Sequence, residues 1–234
     1  MSYFIHTTEL ATGQTDTLTG EEAHHAALSR RSRVGERLEI QTPSGKRYSC
    51  VITQIQKGAV VFTVESELPV PPDPSLAVTL CVAHSSEHAL DFIIQKATEL
   101  GAAHLCIFQA EHSPHPPKAE KLNRWHKIST EAAKQCGRQN PLRISLAGKI
   151  LETLETKAEA NFYATMNGVS IPTLPVPTPK SVQIWIGPEG GFGTIELTAF
   201  ASNQILPVRL PGFTLRTETA AITALAILLS QSTP

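Results

Sequence analysis

The chain has 234 residues, 41% hydrophobic and 18% charged, with a formal net charge of -1, which suits a compact protein of one large or two small domains and not a strongly basic nucleic-acid-coating protein. No run reaches the roughly 18 apolar residues that a membrane span needs, and Met1–Leu10 lacks the basic start and apolar run of a secretory signal. Cys50, Cys81, Cys106 and Cys136 are scattered with no C-x-x-C pair, so neither a disulfide framework nor a zinc ribbon is expected and the setting is a reducing, cytoplasmic one.

The first 70 residues read as short strands. Arg37–Thr42, Tyr48–Gln56 and Ala59–Leu68 are rich in β-branched residues and are separated by Ser44-Gly45 and Lys57-Gly58, the pattern of a small β-barrel or sandwich. Four prolines within Pro69–Pro74 remove backbone donors and fix φ, so regular structure stops there. The expected domains are therefore 1–70 and 75–234.

Beyond the prolines the pattern alternates. Val78–Ala83 reads as a buried strand, Ser86–Leu100 as a helix with Leu90, Ile94 and Ala97 on one face and Gly101 as its C-cap, and Ala103–Phe108 as a strand. Lys118–Cys136 spaces Leu122, Trp125, Ile128, Ala132 and Cys136 as a helix. Phe162–Thr165, Val182–Ile186 and Ile205–Leu210 complete the strands, and Thr194–Ser202 is helical. Strands alternating with helices predict an α/β domain with a mostly parallel, doubly covered sheet. The last helix, Glu218–Ser230, is apolar around most of its circumference, which places it in the domain core or in a subunit interface.

Charge is unevenly placed on this neutral chain. Ala27–Arg47 holds six basic residues against two acidic ones, and Lys118–Arg143 holds seven against two. Such stretches are either a localised polyanion-binding surface or ordinary solvated faces.

Open parallel sheets bind ligands beyond the carboxyl ends of their strands, which directs attention to two loops. Ile186-Gly187-Pro188-Glu189-Gly190-Gly191-Phe192-Gly193 has four glycines in seven positions, so its backbone can approach a ligand closely; the alternative is a turn that only reverses the chain. It is neither a phosphate loop, since no Gly-Lys-Ser/Thr follows, nor a G-x-G-x-x-G fingerprint. The second loop, Leu210-Pro211-Gly212-Phe213-Thr214-Leu215-Arg216-Thr217-Glu218, is a strand end, a Pro-Gly turn and a helix start. Thr217 suits the N-cap and Glu218 the first turn, whereas Arg216 has no capping work to do and suits a phosphate or a target base. For His24-His25 and His112-Ser113-Pro114-His115, the proline inside the second pair prevents regular helical spacing and no carboxylate or cysteine completes a ligand set, so no metal site is expected. No G-x-S-x-G elbow is present.

Gln95-Lys96-Ala97-Thr98-Glu99-Leu100-Gly101, Gln135-Cys136-Gly137-Arg138, Gly187-Pro188-Glu189-Gly190-Gly191 and Leu215-Arg216-Thr217-Glu218-Thr219-Ala220 occur in that order. Together with His24-His25, Arg31, Gly35 and Ser44-Gly45 they resemble the ribosomal RNA small subunit methyltransferase E family, of the SPOUT class, over nearly the whole chain. The resemblance implies a PUA-like RNA-binding barrel followed by a SPOUT methyltransferase domain with a C-terminal trefoil knot, paired as a homodimer. Periodicity alone would give an ordinary doubly wound sheet, since knots are rare.

The resemblance also implies S-adenosyl-L-methionine as cofactor, held by Ile186, Gly187, Pro188, Glu189, Gly190, Gly191, Leu210, Pro211, Leu215 and Thr217. It implies methylation of N3 of a uridine in small-subunit (16S) ribosomal RNA, free or in the assembled 30S subunit. Arg31, Lys96, His112, Arg138 and Arg216 are the expected RNA contacts. Uridine N3 must lose a proton as it takes the methyl group; Glu218, directly or through water, is the expected base, Glu99 its rival, and Arg216 the group stabilising charge on the uracil oxygens.

Several positions depart from the family pattern. Ser29 and Arg30 replace an apolar pair, and His112 and Phe213 replace arginines. Losing two fixed cations bears on RNA more than on cofactor, so an RNA-binding homologue with another RNA target, or without turnover, is the second reading, and a ribose-hydroxyl methyltransferase the third.

Overall fold

Apolar and polar residues alternate along the amino-terminal strands and sort them into a sheet with one wet and one dry face. In order these are β1 (Phe4–Ile5), β2 (Thr15–Thr19), a short helix α1 (Gly20–His24) running into a π-helical turn over His25–Ser29, β3 (Arg37–Gln41), β4 (Arg47–Gln56) and β5 (Ala59–Leu68). The computed structural model describes residues 2–113, 115–155, 158–175 and 178–231, and the chain splits into two units, Met1–Pro72 with Lys134–Asn140 and Asp73–Ala133 with Pro141–Pro234.

In the first unit the sheet order is β1-β3-β4-β5-β2. Hairpins join β3 to β4 and β4 to β5, and β1 runs parallel to β3. Leu38, Ile40, Cys50, Ile52, Val60, Phe62 and Val64 point inward and are almost fully buried, as period-two alternation requires. β1, β2 and α1 escape the sequence pattern because they are short and, in β2, only Leu18 is buried. Lys134–Asn140 joins this unit through hydrogen bonds: Tyr3 Oη donates to the Arg138 carbonyl at 2.8 Å, the Gln41 amide to that of Gln139 at 2.9 Å and the Arg47 guanidinium to that of Gly137 at 3.2 Å.

The second unit contains β6 (Ala77–Ala83), α2 (Glu87–Leu100), β7 (His104–Phe108), α3 (Leu122–Cys136, its end shared with the first unit), β8 (Arg143–Ala147), α4 (Ile150–Thr153), β9 (Ala160–Ser170), β10 (Ser181–Ile186), α5 (Thr194–Ser202), β11 (Leu206–Arg209) and α6 (Thr217–Leu229). All six strands are parallel, in the order β11-β9-β10-β6-β7-β8, which is the α/β sheet expected. Ser86 Oγ caps α2 by accepting the Ala89 N–H at 3.2 Å, and Gly101 ends it at φ +90°, the left-handed turn that glycine permits.

One face of the sheet carries Val78, Leu80, Val82, Leu105, Ile107, Val182 and Ile184 against α2, α6 and Trp125 of α3. The other carries Cys81, Cys106, Phe108 and Trp185 against α4 and α5. From the edge strand β11 the chain turns back so that α6 lies on α2, β6 and β10, and the Leu174 N–H donates to the Gln231 side-chain oxygen at 2.7 Å, tying the segment after β9 to the end of the described chain.

Several expectations change. β8 and α4 are additional elements, and β9 continues to Ser170 where Phe162–Thr165 was read, because its second half is partly exposed and lacks an apolar run. α6 buries Ala221, Ala224, Leu225 and Leu228 in the core, while Ala226 is exposed and Ile222 and Ile227 are partly so. The helix read from Lys118 begins at Leu122, after a single 3-10 turn at Ala119–Lys121.

Candidate functional site

Three chain segments meet beyond the carboxyl end of β10. The glycine loop follows Ile186, which is 2% exposed at the strand end. Gly191 turns it at φ +74°, with its N–H on the Pro188 carbonyl at 2.9 Å; an L side chain resists this conformation. The buried Glu196 carboxylate accepts the Gly193 N–H at 2.8 Å and the Glu111 N–H at 3.0 Å. One carboxylate thus fixes the glycine loop against the segment after β7.

The turn after β11 forms the second wall. Thr217 does not take the N-cap position: Arg216 does, with φ -66° and ψ 158°. Thr217 is the first helical residue, 3% exposed, and its hydroxyl donates to the Gly187 carbonyl at 3.3 Å, joining α6 to the glycine loop. The third wall is Ala164–Asn167 of β9.

These walls enclose a cleft of about 370 Å³. Of the residues expected to hold a cofactor, Ile186, Gly187, Pro188, Glu189, Gly191, Leu210, Leu215 and Thr217 line it. Gly190 faces His112 instead: a Cβ built there would stand 3.1 Å from that of His112. Pro211 borders a separate hollow with Ser170, Ile171, Arg209 and Ile227. The sequence reading missed Ala164, Thr165, Met166, Asn167, Phe192, Leu197, Phe213, Thr214 and Ala220. The β9 residues carry no motif, and only the strand order, which brings β9 beside β10, reveals them.

Among the described residues that line it, Glu189 alone is ionisable, with no lysine or arginine among them. Such a cleft does not suit a phosphate-bearing ligand; it suits a neutral or cationic one. Its size is that of a small-molecule site.

Arg216 is exposed and Glu218 half-buried; they flank Thr217 without lining the cleft. Glu99, the rival base, is ion-paired with Lys96 at 2.9 Å. The structure places Lys96, His112 and Arg216 in the second unit and Arg31 and Arg138 in the first. His112 Nδ1 donates to the Gly191 carbonyl at 3.2 Å. Arg31 is exposed with φ +54°, a conformation that is costly without glycine. No cluster among the described residues is placed to hold a metal; Pro114, within the second histidine pair, lies outside them.

A model of the RNA methyltransferase domain matches residues 71–229, and one of the RNA methyltransferase PUA domain matches residues 18–65. Ribosomal RNA small subunit methyltransferase E of Aquifex aeolicus is 31% identical over 80% of this chain and 82% of its own. The chain belongs to the ribosomal RNA small subunit methyltransferase E family. The family member from Bacillus subtilis is 27% identical over 98% of this chain and 96% of its own. The solved family member from Neisseria gonorrhoeae, bound to S-adenosyl methionine, has a TM-score of 0.84 at 25% identity and covers 98% of this chain and 97% of that one. The first unit is accordingly a PUA-like half-barrel and the second a parallel-sheet α/β methyltransferase domain of the SPOUT type.

Proposed function

We propose that this protein transfers the methyl group of S-adenosyl-L-methionine to N3 of a uridine in small-subunit (16S) ribosomal RNA. The observation that carries this reading is the cleft between the glycine loop, the β11–α6 turn and β9. Its walls combine apolar side chains with hydroxyl, amide and backbone groups, and the one ionisable residue among the described lining, Glu189, is acidic, which fits adenosylmethionine and disfavours a nucleotide polyphosphate. A Cβ at Gly187 would stand 3.2 Å from the Phe192 ring, so glycine keeps this part of the wall open.

When bound, the cofactor supplies an electrophilic methyl group on a sulfonium. Ile186, Gly187, Gly191 and Leu210 hold it, and the Thr217–Gly187 hydrogen bond keeps two of its walls in register. Uridine N3–H, protonated at neutral pH, must be relieved of its proton. Glu218, half-buried in the first turn of α6, or a water it orients, takes that proton. Arg216, exposed beside it, stabilises the charge on the uracil oxygens. Glu99 is engaged by Lys96 at 2.9 Å, whereas Glu218 directly follows the cleft-lining Thr217, which favours Glu218 over its rival.

On this reading residues 1–70 are the RNA-binding barrel and residues 75–234 the catalytic domain with its trefoil knot. Arg31, Lys96, His112, Arg138 and Arg216 contact ribosomal RNA, free or in the 30S subunit, with no metal. The incompletely covered apolar side of α6, with Ala226, Ile222 and Ile227, supports pairing as a homodimer, and the protein works in the cytoplasm.

The test is incubation with methyl-labelled adenosylmethionine and small ribosomal subunits from a strain lacking the enzyme, followed by nucleoside mass spectrometry. Label in N3-methyluridine is the expected outcome. No label, with cofactor binding still measurable by calorimetry, would assign the protein to another RNA target or to RNA binding without turnover.

A further inference from the structure

Three apolar side chains at the cleft mouth lack cover. Phe213 is 93% exposed, Met166 50% and Leu197 41%, and all three line the cleft. Phe213 is the extreme case. It stands in the β11–α6 turn directly after Gly212, which adopts φ +96°, and three residues before Arg216 at the head of α6. Its chain neighbours Pro211, Gly212 and Thr214 are exposed as well, so the turn itself gives the ring no cover.

A phenyl ring left in water is unfavourable, and exposed apolar groups gathered at a site mark what the site meets. N3 lies on the pairing edge of uracil, so the target base must leave its stack and its pair before N3 can face a methyl donor. A base taken out of its stack recovers the lost contact on an aromatic face. An exposed ring lining the methyl-donor cleft, three residues before the exposed Arg216, offers that face in a turn that also carries a cation for the base oxygens or the flanking phosphate.

We propose that Phe213 is the stacking platform for the uracil presented to the methyl donor, a role that rests on the uridine-methylating reading above. The occupant of the cleft mouth is a pyrimidine base of the RNA substrate. Phe213 is a positioning group: it sets where N3 lies and takes no part in proton transfer.

The test compares wild type with Phe213→Ala, Phe213→Leu and Phe213→Trp. It measures kcat/KM on small ribosomal subunits, adenosylmethionine Kd by calorimetry, and mass by sedimentation. Both aliphatic variants are expected to lose about tenfold in kcat/KM, while tryptophan stays within about twofold. Cofactor affinity and mass are expected to be unchanged. Leucine matching wild type would overturn the proposal, since apolar area and not a π-face would then be what counts. A weakened cofactor Kd in Phe213→Ala would place the ring over the cofactor, and a fall in mass would place it against a second copy; either result overturns the proposal. A wild-type enzyme that labels no uridine rejects the underlying reading as well, whereas full wild-type labelling with an unaffected Phe213→Ala rejects the platform alone.

Discussion

Glu196 shows how one side chain can set the geometry of a site it does not line. Its buried carboxylate accepts N–H groups from Gly193 and Glu111, and Glu196→Gln would aim an amide N–H at one of them. Equilibrium denaturation should show a loss of about 1 to 3 kcal/mol, with weaker adenosylmethionine binding; an unaltered midpoint would show that the loop is held by other means. Thr217→Val removes the hydroxyl that donates to the Gly187 carbonyl while keeping shape. Calorimetry should find the cofactor Kd raised about fivefold, the worth of one hydrogen bond of roughly 1 kcal/mol. For the base, Glu218→Gln should lower the single-turnover rate by about 100-fold or more, and an undiminished rate would leave Glu99 as the candidate. Arg216 and Glu218 stand out in the sequence as a charged pair at a strand-turn-helix junction, and the structure sets them on either side of Thr217 without lining the cleft. Glu196 was not, since a glutamate in the first turn of α5 reads as ordinary helix-dipole chemistry until its second partner arrives from the segment after β7.

At the scale of elements, the junction of β9 with β11 places the turn that bears Leu210 and Leu215. A Cβ at Gly168 would fall 2.5 Å from the Val208 carbonyl carbon, a backbone clash that no rotamer relieves. Gly168→Ala should therefore destabilise the protein by about 1 to 3 kcal/mol and weaken cofactor binding, with thermal denaturation and calorimetry as the two readings. Normal stability in this variant would mean that β11 can move aside freely. The pairing also accounts for the limits of the sequence reading of β9. Its first half alternates as a strand should, but Met166–Ser170 is exposed or half-exposed along an edge pairing, and such a segment carries no periodic signal. α2 could be read completely, because Ser86, the apolar stripe and Gly101 are all local signals.

Across the whole molecule, the response to acid follows from partly buried imidazoles. Burial holds His84 and His104 below their ordinary value of 6.5, with nearby Arg143 adding to the effect at His104. The unfolded chain therefore takes up protons near that pH while the fold takes them up only at lower pH. The stability contributed by the neutral rings is complete above about pH 6.5 and declines as the pH falls through it. Urea midpoints should drop between about pH 7.5 and 5.5, less steeply for His104→Gln; a midpoint that does not fall would refute the assignment. Glu65 and Glu87, held low by Arg37 and Lys121, act in the same direction only at lower pH. By itself the sequence determined the strand-rich amino-terminal part, the alternating α/β remainder, the glycine loop and the β11–α6 turn, because propensity, capping and glycine chemistry act over a few neighbouring residues. Tertiary structure alone decided the strand order β11-β9-β10, the β9 wall of the cleft, the Lys134–Asn140 segment in the first unit and the exposure of Phe213. Each of these depends on which distant segments come to lie side by side, and local periodicity holds no record of that.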